Sequence, residues 1–272
     1  NGFENDFVPE GKALEDVRSA ARKRIIEVAE ASWDYQFRGE PLIVTTSGRY
    51  EYRNKGIDVY LESLKQLAAS NIERDVLAII AVPAANIGAR QDLVAHLANK
   101  EAAIDPSQKR YLTHNLESEA WDQVCHSIEG SILSTTASRV KVLFVPTYLN
   151  GNDGIFNMPY YDMLAGADLS IFASYYEPWG YTPLESVAYG VPTVTTTLAG
   201  FGPCPYDFGV PSESRWPKHF SEFLDTPHRV DVMLSLKATS FDLLLCLLGH
   251  ASYTLIYREV VVLLDLTLVL HI

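Results

Sequence analysis

Short apolar runs, each followed by a stretch with helical spacing, recur along most of the chain, and this alternation leaves few architectures open. Leu42 to Thr46 reads as a buried strand, Ile57 to Ala68 as a helix, Val76 to Val82 as a strand, and Leu93 onward as helical. Further strands are predicted over Lys141 to Val145 and Leu169 to Ala173, with a helix around Tyr160 to Leu164 between them. Another helix starts near Thr182, and a last strand covers Val191 to Thr196. Ahead of these, Leu14, Val17, Ala21, Ile25 and Val28 recur three or four apart with charges between them. That spacing predicts an amphipathic helix from about Leu14 to Phe37, ending near Gly39-Glu40-Pro41. Continuous Ile/Val/Leu strands alternating with helices signify a parallel sheet covered on both faces. The fold class is therefore α/β, a doubly wound parallel sheet, whose ligands bind at the carboxyl ends of the strands.

Charge and cysteine content narrow the function. The 272 residues carry a formal net charge of −12, and Arg22-Lys23-Arg24, on the first helix, is the one concentrated basic block. Phosphate backbones attract basic surfaces, so nucleic acid is excluded as a partner and a small molecule or neutral polymer is expected. No membrane partner is expected either. Cys125, Cys204 and Cys246 lie too far apart for a Cys-x-x-Cys knuckle or a disulfide framework, which fits a reducing cytoplasm. The seven histidines show no metal-ligand spacing, so no metal site and no cofactor are expected, and no Gly-x-Ser-x-Gly elbow occurs. The chain opens Asn1-Gly2-Phe3-Glu4, without methionine or a leader pattern, and this start reads as a fragment boundary.

Two motifs fall where a parallel sheet binds its ligand. The first, Tyr175-Tyr176-Glu177-Pro178-Trp179-Gly180-Tyr181-Thr182-Pro183-Leu184-Glu185, follows the strand ending near Ala173. Two readings of Glu185 stay open. Thr182 as N-cap, Pro183 at the first helical position and Glu185 at the third would form a capping box. Alternatively, Gly180 and the free amides of Tyr181 and Thr182 at the helix start receive a phosphate, while the Glu185 carboxylate takes ribose hydroxyls. The second motif, Ser47-Gly48-Arg49-Tyr50-Glu51-Tyr52-Arg53-Asn54-Lys55-Gly56, follows the first strand. A basic pair on such a loop is ordinarily a solvated surface, but at the carboxyl end of a parallel strand the Arg49 fork and Lys55 point charge suit a diphosphate. Tyr160 follows the turn-rich Asn150-Gly151-Asn152-Asp153-Gly154 and by pattern alone packs its ring on the core.

With these residues in place, the chain resembles the glycogen synthases of glycosyltransferase family 3. The resemblance is carried by Glu177 and Glu185 within the aromatic signature, by Gly190-Val191-Pro192-Thr193-Val194-Thr195-Thr196, by Gly200-Phe201-Gly202 and by the Gly-Arg-Tyr-Glu loop, and it runs from about Asn1 to Gly202. It implies a Rossmann-like C-terminal half of a two-domain (GT-B) retaining glucosyltransferase, with Asn1 to Gly202 as its nucleotide-sugar-binding domain. It implies UDP-glucose or ADP-glucose as donor and the 4-hydroxyl of an α-1,4-glucan as acceptor. By the same resemblance Arg49 and Lys55 bind the donor phosphates, Tyr160 stacks on the base, and Glu177 holds the glucose hydroxyls. The facing N-terminal Rossmann-like domain is missing, so the fragment is expected to be inactive alone. No arginine-rich regulatory helix is recognisable, which points to a bacterial-type enzyme. Another retaining glycosyltransferase of the same architecture, or a catalytically silent nucleotide-binding module, are the alternatives.

After Gly202 the composition changes. Pro203-Cys204-Pro205 leads into runs such as Leu243-Leu244-Leu245 and Val260-Val261-Val262, too short for a membrane span. Residues 203–272 are read as an atypical tail, from a shifted reading frame or poorly ordered, with a divergent C-terminal helix pair as the alternative.

Overall fold

In the computed structural model, residues 6–196, 198–201 and 233–235 are described. The tail reading therefore lies outside the described residues, apart from one short strand. The elements are α1 (Gly11–Trp33), β1 (Leu42–Ser47), α2 (Ile57–Ala69), β2 (Val76–Ala81), β3 (Asn86–Ala89), α3 (Gln91–Ala98), β4 (His114–Leu116), α4 (Gln123–Ile128), β5 (Val140–Phe144), α5 (Tyr160–Ala165), β6 (Leu169–Phe172), α6 (Tyr181–Ala188), β7 (Thr193–Thr195) and β8 (Met233–Ser235).

The main sheet has the order β5-β2-β1-β6-β7-β8, all pairs parallel. Every residue of β1, β2 and β5 is buried, which is why these strands read as continuous rather than alternating apolar runs. α1 packs on α3 and α5, and α2 packs on α4, giving a helical layer on each side. The predicted doubly wound α/β sheet is the observed one, with element ends moved by a few residues. The largest shift is at α1, which stops at Trp33 because Asp34 takes a left-handed conformation (φ 48°), its amide still reaching Ala31 O. The antiparallel β3–β4 pair, whose strands are separated by α3, and α4 were not legible, being short elements set by their surroundings.

The β5 edge is closed by side chains and loop. Trp33 Nε1 donates to Val142 O at 2.9 Å, and Phe144 exchanges backbone bonds with Tyr111 and Thr113. That removes the open pairing edge which otherwise invites another strand. Arg90, fully buried, ties this flank together. It is bidentate with Asp92 at 3.1 and 2.7 Å and also donates to Ser32 Oγ, Lys109 O and Leu112 O.

Of the basic run on α1, Arg22 and Arg24 are consumed internally and Lys23 is exposed. Arg22 pairs with Asp168 at 2.7 Å and reaches Gly166 O, Arg18 donates to Ala165 O and Tyr189 O, and Arg24 binds Glu27 and Ile155 O. Arg18 thereby satisfies carbonyls at the ends of α5 and α6, and Arg22 those just beyond α5, which helices leave unpaired. Among the described residues, no helix is long and apolar enough to cross a membrane.

Candidate functional site

Strand order decides where the two motifs meet. From β1 the chain adds β2 and β5 on one side and later β6 and β7 on the other, so β1 and β6 flank the topological switch point, where parallel sheets open a crevice. The β1–α2 loop carries the Gly-Arg-Tyr-Glu motif and the β6–α6 loop carries the signature. Ser47 and Phe172 end adjacent strands, and the two loops lie side by side.

They are also bonded. Tyr175 N donates to Asn54 O at 2.8 Å, and Lys55 Nζ pairs with Glu177 Oε2, both side chains mostly buried. Gly56 makes the approach possible. Its φ is 65°, and a Cβ there would sit 2.0 Å from Ala173 O, backbone that cannot move aside. The loop is anchored from behind as well, since the Tyr50 hydroxyl donates to Asp122 Oδ2 at 2.7 Å and accepts from Val124 N. Arg49 is left outward, with a 76% exposed side chain that touches Glu51 at 3.1 Å.

The signature loop rests on the segment after β7. Thr196 Oγ1 donates to Ser174 O, Gly200 N to Glu177 O and Phe201 N to Trp179 O. Gly200 has no room for a side chain, since its Cβ would lie 2.2 Å from Pro178 O. Of the two readings left open for Glu185, the capping box does not form. α6 starts at Tyr181 behind Gly180, whose left-handed backbone (φ 98°, ψ 78°) turns the chain into the helix before Thr182, and no side chain caps it. Thr182 and Pro183 fall inside the first turn, and Glu185 instead accepts a hydrogen bond from the Tyr161 hydroxyl at 3.1 Å. Burial raises the Glu185 carboxyl above its ordinary range, against the opposing effect of the Tyr161 bond.

Beside these loops lies a cavity of about 410 Å³, lined in part by Ser47, Arg49, Tyr50, Thr147, Tyr148, Tyr160 and Thr182. Tyr160 is half-buried, and its hydroxyl bonds Ser47 Oγ at 2.7 Å, so the ring forms a fixed wall. Tyr148 on the rim is 76% exposed, and Tyr175, Tyr176 and Tyr181 are exposed around the same end of the sheet. Thus Arg49, Tyr160 and Thr182 line one cavity, whereas Lys55 and Glu177, paired between the two loops, and Glu185, one turn along α6 from Thr182, are not among its lining residues. Thr147 and Tyr148 were not foreseen. Their signal is positional, because they follow β5, another strand ending at the same edge. Ser47 and Tyr161 act on the foreseen residues, and nothing in the sequence marked their partners.

Among the described histidines, His114 takes a structural part. His114 is buried, its Nε2 donating to Asp153 O and its Nδ1 bonded to Thr113 Oγ1, and burial lowers its pKa. Cys125 is buried and burial raises its thiol pKa, while Cys204 and Cys246 lie outside the described residues. Among the described residues, no group of three or more His, Cys, Asp or Glu side chains is placed to hold a metal ion.

Comparison with known proteins bears on the same segment. Residues 96–208 match the family model described as glycogen synthase. Glycogen (starch) synthase isoform 1 of Saccharomyces cerevisiae is 31% identical over 217 residues, covering 57% of this chain and 31% of that protein. The Neurospora crassa glycogen (starch) synthase is 31% identical over 224 residues, covering 62% and 32%. The human liver glycogen (starch) synthase is 31% identical over 212 residues, covering 59% and 30%. The chain thus spans about a third or less of the length of these curated relatives, and it is similar to glycogen synthases across the signature. A solved structure of Anabaena HepE in complex with UDP and glucose aligns with a TM-score of 0.37 and 17% identity, over 74% of this chain and 38% of that one.

Proposed function

We propose that this glycogen synthase-like chain is the donor-binding part of a longer, two-domain retaining glucosyltransferase. The enzyme moves glucose from a nucleoside diphosphate, UDP or ADP, to the 4-hydroxyl at the non-reducing end of an α-1,4-glucan. The single observation that carries this reading is the meeting of Lys55 and Glu177 across the switch point, beside a cavity with Arg49 on its wall.

The demanding part of such a transfer is the charge that develops on the leaving diphosphate. The Arg49 guanidinium, the Lys55 ammonium and the uncapped amides at the start of α6 supply fixed positive potential there, the work a divalent cation does at other phosphate sites. Glu177 holds Lys55 through their ion pair. An entering diphosphate competes for that ammonium and frees the Glu177 carboxylate to take glucose hydroxyls and offset positive charge growing on the sugar. We assign Glu177 no nucleophilic role. Tyr160 faces the base and Glu185 the ribose. All these groups lie on one side of the expected cleft, so a facing N-terminal domain is needed to exclude water and hold the acceptor, and proximity of that kind accounts for several kcal/mol of a barrier. A reducing cytoplasm suits the free, buried Cys125.

The test is in two stages. Calorimetric titration of the chain with UDP and ADP should give binding to at least one, and binding of neither removes the reading. Transfer of labelled glucose from UDP-glucose or ADP-glucose to glycogen should then be absent for the chain alone and present after fusion to an N-terminal half from a matching synthase. In that fusion Glu177→Gln should lower turnover with little change in donor binding. A fusion that binds donor but never turns over identifies a silent nucleotide-binding module instead.

A further inference from the structure

The first turn of α5 presents two adjacent tyrosines facing different partners. Tyr160 turns to Ser47 and the cavity. Tyr161 turns to α6, where its hydroxyl donates to Glu185 Oε1 at 3.1 Å. Its ring is fixed independently of that bond. It stacks on Tyr189 with centroids 5.4 Å apart and planes at 3°, and Phe7 covers it at 5.0 Å. Tyr189 is itself held through its carbonyl by Arg18. The hydroxyl is therefore delivered to Glu185 from a rigid ring rather than from a mobile side chain.

Glu185 is partly buried, and among the described residues Tyr161 supplies the one hydrogen bond to its carboxylate. With one oxygen engaged, the carboxylate cannot rotate freely, and the other oxygen keeps a fixed direction. Glu185 lies three residues past Thr182, which lines the cavity together with Tyr160. An oriented carboxylate at that place suits a pair of neighbouring hydroxyls, because it accepts from both without paying to reorder itself.

We propose that Tyr161 is a positioning residue: its hydroxyl aims the Glu185 carboxylate at the ribose, and so sets the preference of the site for ribonucleotides over 2′-deoxyribonucleotides. This rests on the donor-site reading, in which Glu185 meets the ribose. Tyr161→Phe removes the hydroxyl and keeps the stack on Tyr189 and Phe7, so orientation is separated from folding.

The experiment titrates the full 272-residue chain with UDP or ADP, whichever binds more tightly, and with its 2′-deoxy counterpart. It compares wild type, Tyr161→Phe, Glu185→Gln and the double variant, with the thermal midpoint of each. Wild type should prefer the ribonucleotide by roughly tenfold or more, the loss expected when a hydrogen bond to a charged group is removed. Tyr161→Phe should lose most of that preference, by weakening the ribonucleotide while the deoxy compound stays within about twofold, at an unchanged midpoint. The double variant should match Glu185→Gln. Equal weakening of both nucleotides in Tyr161→Phe would make it a structural residue only, and an unchanged ratio would mean that Glu185 reads ribose without it; either overturns the proposal. Wild-type binding with no ribose preference overturns this inference while the donor reading stands, whereas binding of neither UDP nor ADP removes both.

Discussion

The two ends of the parallel sheet use the same side-chain types in opposite ways. At the amino end, charges are buried and held mainly by polar contacts within the protein. Lys141, wholly buried in β5, donates to Thr136 O and Ser138 O and lies 4.1 Å from the Tyr35 ring and 5.2 Å from that of Trp33. Asp75 accepts from the Tyr35 hydroxyl and Arg38 N on Oδ2, while its buried Oδ1 stands 3.7 Å from Arg139 with no hydrogen-bond partner. Asp168 takes Arg22 on one oxygen and Ile43 N on the other, each within 2.8 Å. At the carboxyl end, Arg49 is mostly exposed, tyrosines stand outward, and α6 begins with no cap. A saturated charge holds elements together, and a charge left open is available to a ligand. The contrast is one of degree, since the carboxyl end also holds the mostly buried Lys55–Glu177 pair, which an entering anion would have to open.

If that contrast is right, variants at the two ends fail differently. The largest effect is expected from Asp168→Ala, which leaves the mostly buried Arg22 with only the exposed Glu40 at 3.5 Å as an acid and the Ile43 amide without an acceptor. It should cost about 3 kcal/mol or more, read as a thermal midpoint roughly 5–10 °C lower, with nucleotide affinity of the folded fraction intact. An unchanged midpoint would mean the amino end is no anchor.

Next in size are the phosphate contacts. Arg49→Ala and Lys55→Ala should each weaken nucleoside diphosphate binding by about ten- to hundredfold, while Arg49→Ala alters stability by no more than about 0.5 kcal/mol. Calorimetry returning wild-type affinity for both variants would take these residues out of the site.

The smallest effect is a pH dependence at the amino end. Burial pulls the Lys141 pKa down to about 8 from an ordinary 10.5. A lysine depressed in the folded state costs stability while it is charged, below about pH 8. Between about pH 8 and 10.5 the unfolded chain binds more protons, so stability rises with pH. Lys141→Met has no such slope. Chemical denaturation at pH 7.5 and 9.5 should therefore show the difference between the two proteins moving in favour of wild type at the higher pH, by about 2 kcal/mol. A constant difference would show that Lys141 is held charged across that range.

Much of the scaffold is legible along the chain. β1, β2, β5 and β6 appear as apolar runs at nearly their final bounds, and both motifs follow strands, which puts them at the carboxyl edge of the sheet. The capping box is misplaced because local spacing makes Thr182 as good a start as Gly180, and the choice falls to the loop after β7, which holds the signature through Gly200 and Phe201. The Arg22-Lys23-Arg24 run, read for its charge, is largely internal for the same kind of reason, as its acceptors lie in residues distant along the chain.

What the sequence determined by itself is whatever depends on neighbours: which runs are buried strands, that they are parallel, and which loops bear glycine with arginine, lysine and glutamate. Burial periodicity and turn chemistry act over a few residues, so they can be read along the chain. Only the tertiary structure decided who answers whom. Lys55 meets Glu177 across 122 positions and Tyr161 meets Glu185 across 24. A side-chain hydrogen bond has many eligible partners in one dimension, and the packing of β1 against β6 and of α5 beside α6 leaves one within reach.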